Sequence, residues 1–280
     1  MHVRTLCIHE NKGDIMIPVK MIVTDLDGTL LRTDKTISDY SLSVFTGCRN
    51  AGIITAVATG RLGIEVKRFV DILQPDIVIT DDGAFARYNG EIIYRSELEA
   101  DTTDRLLKEL CSMRNIVDIV VSMENVCYWN SGHISESLDR HDAVYNDFLV
   151  PLLRKAIKIV AEIPDTNAAQ SLIEKFPECT AVPYWGINRY SYLKKGTSKM
   201  NAVKAVAQIL GMDPAEIAAF GDDYNDIEMI EQCGIGIAVA NAIEPVLLSA
   251  KHITKSNDED GVAAFIEANF FDNARSKPPV

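Results

Sequence analysis

Nowhere in the 280 residues do two cysteines fall at Cys-x-x-Cys spacing. Cys7, Cys48, Cys111, Cys127, Cys179 and Cys233 are scattered, so neither a zinc site nor a disulfide framework is indicated, and reduced, mostly buried thiols are expected. Basic residues are also short: 28 Lys and Arg against 40 Asp and Glu leave a formal charge of −12. That field repels a polyanion, so no nucleic-acid partner is expected, and an anionic substrate needs local compensation from a metal or a few placed cations. No apolar run reaches the roughly twenty residues that a membrane helix needs. The first twenty residues are interrupted by Glu10, Lys12 and Asp14 and lack the apolar core of a secretion signal, which makes the cytoplasm the expected location and a membrane partner unexpected. Residues 1–17 lack periodicity, and Met16 and Met21 stand just ahead of the first strong strand; the expectation is a disordered extension or a start-codon artefact. There is no internal repeat and no low-complexity tract.

What is present is a composition of 47% hydrophobic and 24% charged residues, suited to one or two globular domains with a sizeable core. From Pro18 strand and helix patterns alternate: an apolar strand to Thr24, a helix opening at Ser38, a strand from Ile53 to Ala58, a helix through Val66 and Phe69, and a third strand, "DIVIT", from Asp76 to Thr80. This is the rhythm of a doubly wound, Rossmann-like parallel sheet. After Asp82-Gly83 the character changes. A hairpin is signalled at Asn89-Gly90, then comes mixed helix and strand, including a helix expected near Ser137 to Leu149. The first rhythm returns with a helix from Thr197 to Leu210 and the strand "EIAAF" that ends at Gly221-Asp222-Asp223. The expected organisation is a discontinuous α/β core over 18–84 and 190–272, interrupted by an inserted α+β cap domain over 85–189.

In open α/β sheets ligands bind beyond the carboxyl ends of the strands. Here those ends read Asp25-Leu26-Asp27-Gly28-Thr29, Thr59-Gly60-Arg61, Thr80-Asp81-Asp82-Gly83 and Gly221-Asp222-Asp223-Tyr224-Asn225-Asp226, so acids dominate the rim. Several carboxylates in one crevice repel one another and resist desolvation, which a hard divalent cation relieves; Mg²⁺ takes oxygen ligands and binds phosphate oxygens. A phosphate ester is then the natural substrate, attacked by a carboxylate to give an aspartyl-phosphate. The spacing in Asp25-Leu26-Asp27 lets Asp25 face the metal and the phosphorus while Asp27 reaches the leaving oxygen, first protonating the alcohol and then taking a proton from water. Lys199, in "GTSKM", is placed to hold the phosphoryl group and offset Asp25; Thr59 is placed to donate to the same oxygens.

These residues resemble a known family. Asp25-Leu26-Asp27-Gly28-Thr29-Leu30, Thr59-Gly60-Arg61, Lys199 and Gly221-Asp222-x-x-Asn225-Asp226, in that order, are similar to the four motifs of the haloacid dehalogenase (HAD) superfamily, with the insert between the second and third motifs as in the Cof-type phosphatases with a large α/β cap. The resemblance runs from about Pro18 to Phe270. It implies Asp25 as nucleophile and Asp27 as general acid/base. It further implies Mg²⁺ held by the Asp25 carboxylate, the Asp27 backbone carbonyl and Asp222, with Asp226 supporting these ligands. Thr59, Lys199 and Asn225 then serve the phosphate, and Gly60 and Arg61 line the same loop. Two positions depart from the family pattern: Asp82-Gly83-Ala84 stands where Asn-Gly-Ala is frequent, and Met200 follows the motif lysine where glycine is frequent.

Each sharp reading has a plainer rival. Asp25 and Asp27 would suit a solvated Asp-Gly turn, Asp222 and Asp226 would suit helix caps, and Lys199 alone would pass for a surface lysine. The four motifs in register favour the sharp readings. Gly196-Thr197-Ser198-Lys199 is rejected as a P-loop, because the order is wrong and the upstream glycine is missing. His133 and His141 are assigned solvated or structural roles, and Trp129, Tyr184 and Trp185 either pack the cap or face the substrate. The expected function is Mg²⁺-dependent hydrolysis of a small phosphorylated metabolite, a sugar phosphate above all, by a monomer or homodimer. The alternatives are a phosphomutase of the same fold and a non-catalytic phosphometabolite-binding regulator.

Overall fold

The computed structural model describes residues 6–7, 18–113, 116, 118–130, 143–184 and 188–271. Its larger sheet has eight strands in the spatial order His252–Ile253, Ile235–Ala238, Ile217–Gly221, Met21–Thr24, Ile54–Ala58, Ile77–Thr80, Phe85–Tyr88, Glu91–Arg95. The first six run parallel and the last two antiparallel. Strand pleating sends alternate side chains to opposite faces, and both faces are covered. Ile22, Val57, Ala218 and Phe220 face the helices Asp39–Asn50 and Lys67–Leu73 together with the C-terminal helix Gly261–Ile266. Met21, Val23, Ala56, Ala58, Ile217 and Ala219 face the helix Lys199–Leu210, which contributes Met200, Val203 and Val206, with Met229 and Cys233 beside them. A strand buried on both faces has no polar outlet along its length, so its carboxylates can appear only where it ends. The acid run 258–260 leads into the last helix, and it also anchors an early turn: Arg32 pairs with Asp260 (2.5 Å), and Thr33 bonds Asp258 through both its amide and its hydroxyl (2.8 Å each).

The second sheet has six strands in the order Ala143–Tyr145, Val126–Trp129, Asp118–Met123, Lys158–Glu162, Arg189–Lys194, Cys179–Pro183. One face, with Ile119, Val121, Ile159, Ala161 and Tyr192, packs on the helices Ala100–Ser112 and Thr166–Lys175. The other face presents Val120, Trp129 and Val160 to Leu62 of the larger unit.

Three expectations are corrected. The hairpin Phe85–Arg95 belongs to the larger sheet, because only the turn 81–84 separates Phe85 from Thr80 and the two residues pair directly across the strands. Arg189–Lys194 is hydrogen-bonded into the smaller sheet, so the chain crosses between the sheets after Arg95 and after Lys194 rather than at 85 and 190. The third concerns the helix expected to Leu149: Ala143–Tyr145 is a strand parallel to Val126–Trp129, and the β-prone pair Val144 and Tyr145 suits an edge. Residues 131–142, with His133 and His141, and Trp185 lie outside the described residues, as do most of residues 1–17; of these, Leu6–Cys7 pairs antiparallel with Pro18–Val19. Among the described residues no helix is long and apolar enough to cross a membrane, and Cys48, Cys111, Cys127, Cys179 and Cys233 are free thiols.

Candidate active site

The strand Met21–Thr24 sits between Ile217–Gly221 and Ile54–Ala58, so the segments that follow all three emerge side by side at one rim. The Asp25 amide is tied to the Phe220 carbonyl (3.0 Å), which fixes the first acid just past the last strand pair. Asp25, Asp222 and Asp226 converge there, each offering a carboxylate oxygen within 4.8 Å of the others. Gly28, at φ +79°, makes the turn that admits Asp222; any side chain at that position would overlap the Asp222 carboxylate.

Lys199 reaches this cluster from the first turn of its helix. Gly83 packs so closely on the Ser198 carbonyl that no side chain fits between them, and Ser198 caps the helix by accepting from the Asn201 amide (3.2 Å). The Lys199 Nζ, almost fully buried, donates to Asp25 Oδ1 and to Asp226 Oδ1, both at 2.7 Å. The other oxygen of Asp226 accepts from the amides of Asp222 (3.0 Å) and Asp223 (3.2 Å), so Asp226 is committed to holding its neighbours. Met200, which takes the place of the frequent glycine, is fully buried against Cys233 and leaves Lys199 undisturbed.

Burial is the main force on these acids. It pushes the Asp25 carboxyl well above its ordinary range despite the opposing Lys199. It also lifts the Asp222 carboxyl to about 7, the neighbouring Asp226 adding to the effect and the Thr29 hydroxyl (2.5 Å) opposing it. Three carboxylates against one ammonium (3 − 1) leave two formal negative charges in an all-oxygen donor set, buried at Asp25 and Asp226 and half-buried at Asp222. That charge and that donor chemistry fit a hard divalent cation.

One step outward, Asp27 is held differently. Its two oxygens accept from Arg61 Nε (2.5 Å) and Nη2 (2.7 Å), and Lys35 Nζ adds a third bond at 2.7 Å. Burial alone would raise the Asp27 carboxyl; the Arg61 and Lys35 bonds outweigh it and hold the group below its usual value. Thr59 is buried, its Oγ1 accepting from the Arg61 amide (3.2 Å).

A cavity of about 410 Å³ opens over this rim, within the range of small-ligand sites. Asp25, Asp27, Thr59, Gly60, Arg61 and Asn225 line its core side, joined by Lys35, Glu65 and Asp223. Its far wall comes from the smaller sheet and its flanking residues: Val120, Trp129, Val160 and Tyr184, with Asp118 and Arg189 paired at 3.1 Å. The structure thus brings Asp25, Asp222, Asp226 and Lys199 into one cluster, and Asp27 and Arg61 into an ion pair beside it. Sequence reasoning did not single out Lys35, Asp118, Arg189 or Lys158 of the strand Lys158–Glu162. Lys158 had a readable signal: a lone charge inside the apolar run "AIKIVA".

The comparison with known proteins agrees with the motifs. Residues 22–266 match the haloacid dehalogenase-like hydrolase family. The chain belongs to that family. As a haloacid dehalogenase-like hydrolase it is an enzyme, and hydrolases of this family generally use a divalent metal ion, to which the acidic cluster is suited. It is similar to the putative phosphatase YxeH of Bacillus subtilis, 29% identical over 269 residues that cover 87% of this chain and 96% of that one. It is also similar to the 5-amino-6-(5-phospho-D-ribitylamino)uracil phosphatase YitU of the same organism, 27% identical over 89% of this chain and 97% of that one. Among solved structures, a haloacid dehalogenase-like hydrolase from Bacteroides thetaiotaomicron superposes with a TM-score of 0.77 at 25% identity, covering 90% of this chain and all of that one.

Proposed function

We propose that this haloacid dehalogenase-like hydrolase is a Mg²⁺-dependent phosphatase that hydrolyses small phosphorylated metabolites, sugar phosphates among them, in the cytoplasm through an aspartyl-phosphate. The observation that carries the reading is the meeting of Asp25, Lys199, Asp222 and Asp226 in one cluster, with Asp25 lining a cavity whose other wall is the cap. Relatives named as phosphatases support it.

On this reading Mg²⁺ is held by the carboxylates of Asp25 and Asp222 and the backbone carbonyl of Asp27, with Asp226 fixing the Asp222 backbone, and it supplies the positive charge that lets an anionic ester approach an anionic nucleophile. Asp25 attacks phosphorus and becomes the aspartyl-phosphate; the phosphorus–oxygen bond to the alcohol breaks. Lys199 favours the ionised form of Asp25 against the effect of burial and stays beside it as charge develops. Asp27 gives a proton to the leaving oxygen, then receives one from the water that hydrolyses the acyl-phosphate. As held here by Arg61 and Lys35, Asp27 is in the ionised form that the second step requires. The ester's own negative charge competes for those two cations, and their turning toward it leaves Asp27 free to carry a proton. Thr59 and Asn225 border the phosphate, and the cap wall meets the leaving group.

The test is release of inorganic phosphate from p-nitrophenyl phosphate and from a panel of phosphorylated sugars and ribityl compounds, with Mg²⁺ and after chelation. Stoichiometric phosphate release that is lost on chelation is expected. Turnover that survives chelation, or isomerisation of hexose 1-phosphate to hexose 6-phosphate without free phosphate, would overturn the reading.

A further inference from the structure

A charged side chain from the cap lies fully buried where the two sheets meet. Lys158 opens the cap strand Lys158–Glu162 and has no exposed surface. In that strand Ile159 and Ala161 face the cap's own helices, whereas Lys158 and Val160 share the opposite face, toward the catalytic unit. The ammonium group donates to Asp82 Oδ2 at 2.6 Å and to the Gly60 carbonyl at 2.7 Å, and it lies 5.5 Å from the centre of the Tyr184 ring. Gly60 and Tyr184 both line the cavity.

Asp82 extends the chain of contacts. Its second oxygen accepts from Asn225 Nδ2 at 3.1 Å, and its amide donates to the Thr59 carbonyl at 3.2 Å. Through Asp82 and the Gly60 carbonyl the cap lysine is therefore joined to the Thr59-Gly60-Arg61 loop and to Asn225, the two segments that border the phosphate in the proposed reaction. Asp82 also adopts a left-handed backbone at φ 56°, next to Asp81 at φ 55°, an unfavourable conformation for side-chain-bearing residues that must be held by its surroundings. It is the position at which this chain has Asp in place of the family's frequent Asn, and the extra negative charge meets the buried Lys158 ammonium.

We infer that Lys158 is a positioning residue: through Asp82 and the Gly60 carbonyl it fastens the cap to the phosphate-side loops and sets their geometry when the cap is seated. A seam needing only stability would be served as well by apolar side chains, since buried ion pairs add little net stability over a well-packed apolar replacement. What the pair adds is conditionality. If the cap strand lifts, Asp82 and the Gly60 carbonyl lose their shared donor, and Asn225 and Thr59 lose the fixed partner that aligns them. Lys158 does not touch the reacting atoms and acts only through these contacts. The inference rests on the phosphatase reading for its catalytic consequence but not for the contact itself.

The experiment compares full-length wild type, Lys158→Met and Asp82→Asn by amide hydrogen exchange, and by the inhibition constant of inorganic phosphate against p-nitrophenyl phosphate. Lys158→Met is expected to speed exchange at Thr59–Arg61 and Asp82–Ala84 by about tenfold or more, the scale of a lost buried hydrogen bond, while the interior of helix Lys199–Leu210 keeps its protection. It should also weaken phosphate inhibition by about tenfold and lower kcat more than it changes KM. Asp82→Asn leaves one amide oxygen for two donors, Lys158 Nζ and Asn225 Nδ2, and a buried ammonium without its counter-charge, so it should shift both measures in the same direction as Lys158→Met, by about threefold or more. If Lys158→Met does not fold, the double variant Lys158→Met/Asp82→Asn, which removes both charges, replaces it with the same expected exchange and inhibition. A folded variant with local exchange and phosphate inhibition within about twofold of wild type overturns the inference, as does an increase in exchange spread evenly over the whole chain. If wild type does not hydrolyse p-nitrophenyl phosphate, the phosphatase reading fails, and the exchange arm still decides the role of Lys158.

Discussion

Asp25 lines the core wall of the cavity and belongs to a cluster with Asp222, Asp226 and the buried Lys199 ammonium, in which every carboxylate is bound to a named donor. On the opposite wall, the proposed cap, Val120, Trp129, Val160 and Tyr184 present mostly apolar and aromatic surface, broken by the ion pair of Asp118 and Arg189. The first wall is built from loops pinned at the ends of adjacent parallel strands, where backbone pairing leaves little freedom. The second is the pleated face of a separate sheet, where any side chain of suitable size is accommodated. On the proposed reading, chemistry that depends on sub-ångström placement belongs to the first wall, and discrimination among leaving groups belongs to the second.

The sharpest way to break that division is at Asp25. On the proposed reading Asp25→Asn removes the nucleophile and with it the covalent route, so phosphate release from p-nitrophenyl phosphate should fall by more than about 10³-fold. Unaltered binding of inorganic phosphate would show that the pocket survives. Residual turnover near the wild-type rate would assign the chemistry elsewhere. Next in size is Lys199→Met, which strands two buried carboxylates without their shared cation. A loss of about 3–5 kcal/mol in folding stability is expected from urea unfolding of the variant against wild type. A loss below about 1 kcal/mol would mean that the two acids are neutral in the folded protein and that Lys199 is dispensable to the fold.

The two walls also differ in how far they could be read from the sequence. Asp25, Asp27, Thr59, Lys199, Asp222 and Asp226 follow apolar strands or open a helix, and parallel-sheet topology sends all such points to one rim, so their proximity followed from strand order alone. The cap residues had no such rule. Whether Val120 or Val121 faces the cavity depends on strand phase, and a shift of one residue would exchange them. The hairpin Phe85–Arg95 was expected outside the core sheet because its antiparallel signal differs from the βαβ pattern before it; the short turn 81–84 that folds it back onto Ile77–Thr80 has a geometry that local sequence does not reveal. Lys158 is the instructive omission. A lysine interrupting an apolar strand requires a buried partner, and the partner, Asp82, was already conspicuous as a departure from the family pattern.

A smaller effect should follow from Arg189→Ala. Arg189 contributes a cation to the cap wall opposite the reacting groups, so its loss should reduce kcat/KM for the best phosphorylated metabolite by about tenfold, the cost of one charge-assisted contact. The small ester p-nitrophenyl phosphate should be affected less. Equal losses on both substrates would mean that the cap wall shapes the reaction itself, and the division of labour between the walls would fail.

The finest distinction concerns Asp81, a buried acid beside the seam but outside the proposed metal ligands. Burial lifts its carboxyl from 3.8 to about 6, against the opposing pull of Lys158, and its Oδ1 has no hydrogen-bond partner. Because the folded state holds this proton more tightly than the unfolded chain, the group's contribution to stability is present below about pH 4 and is lost as pH rises toward 6. The shift is worth roughly 3 kcal/mol at most, at about 1.4 kcal/mol per unit. Asp81→Asn imitates the protonated acid at every pH. The variant should match wild type near pH 4 and exceed it in unfolding free energy by up to about 2–3 kcal/mol at pH 7, measured by urea denaturation across that range. A stability difference that stays flat with pH would show that Asp81 ionises in its burial site without penalty, and that Lys158 compensates both neighbouring acids rather than Asp82 alone.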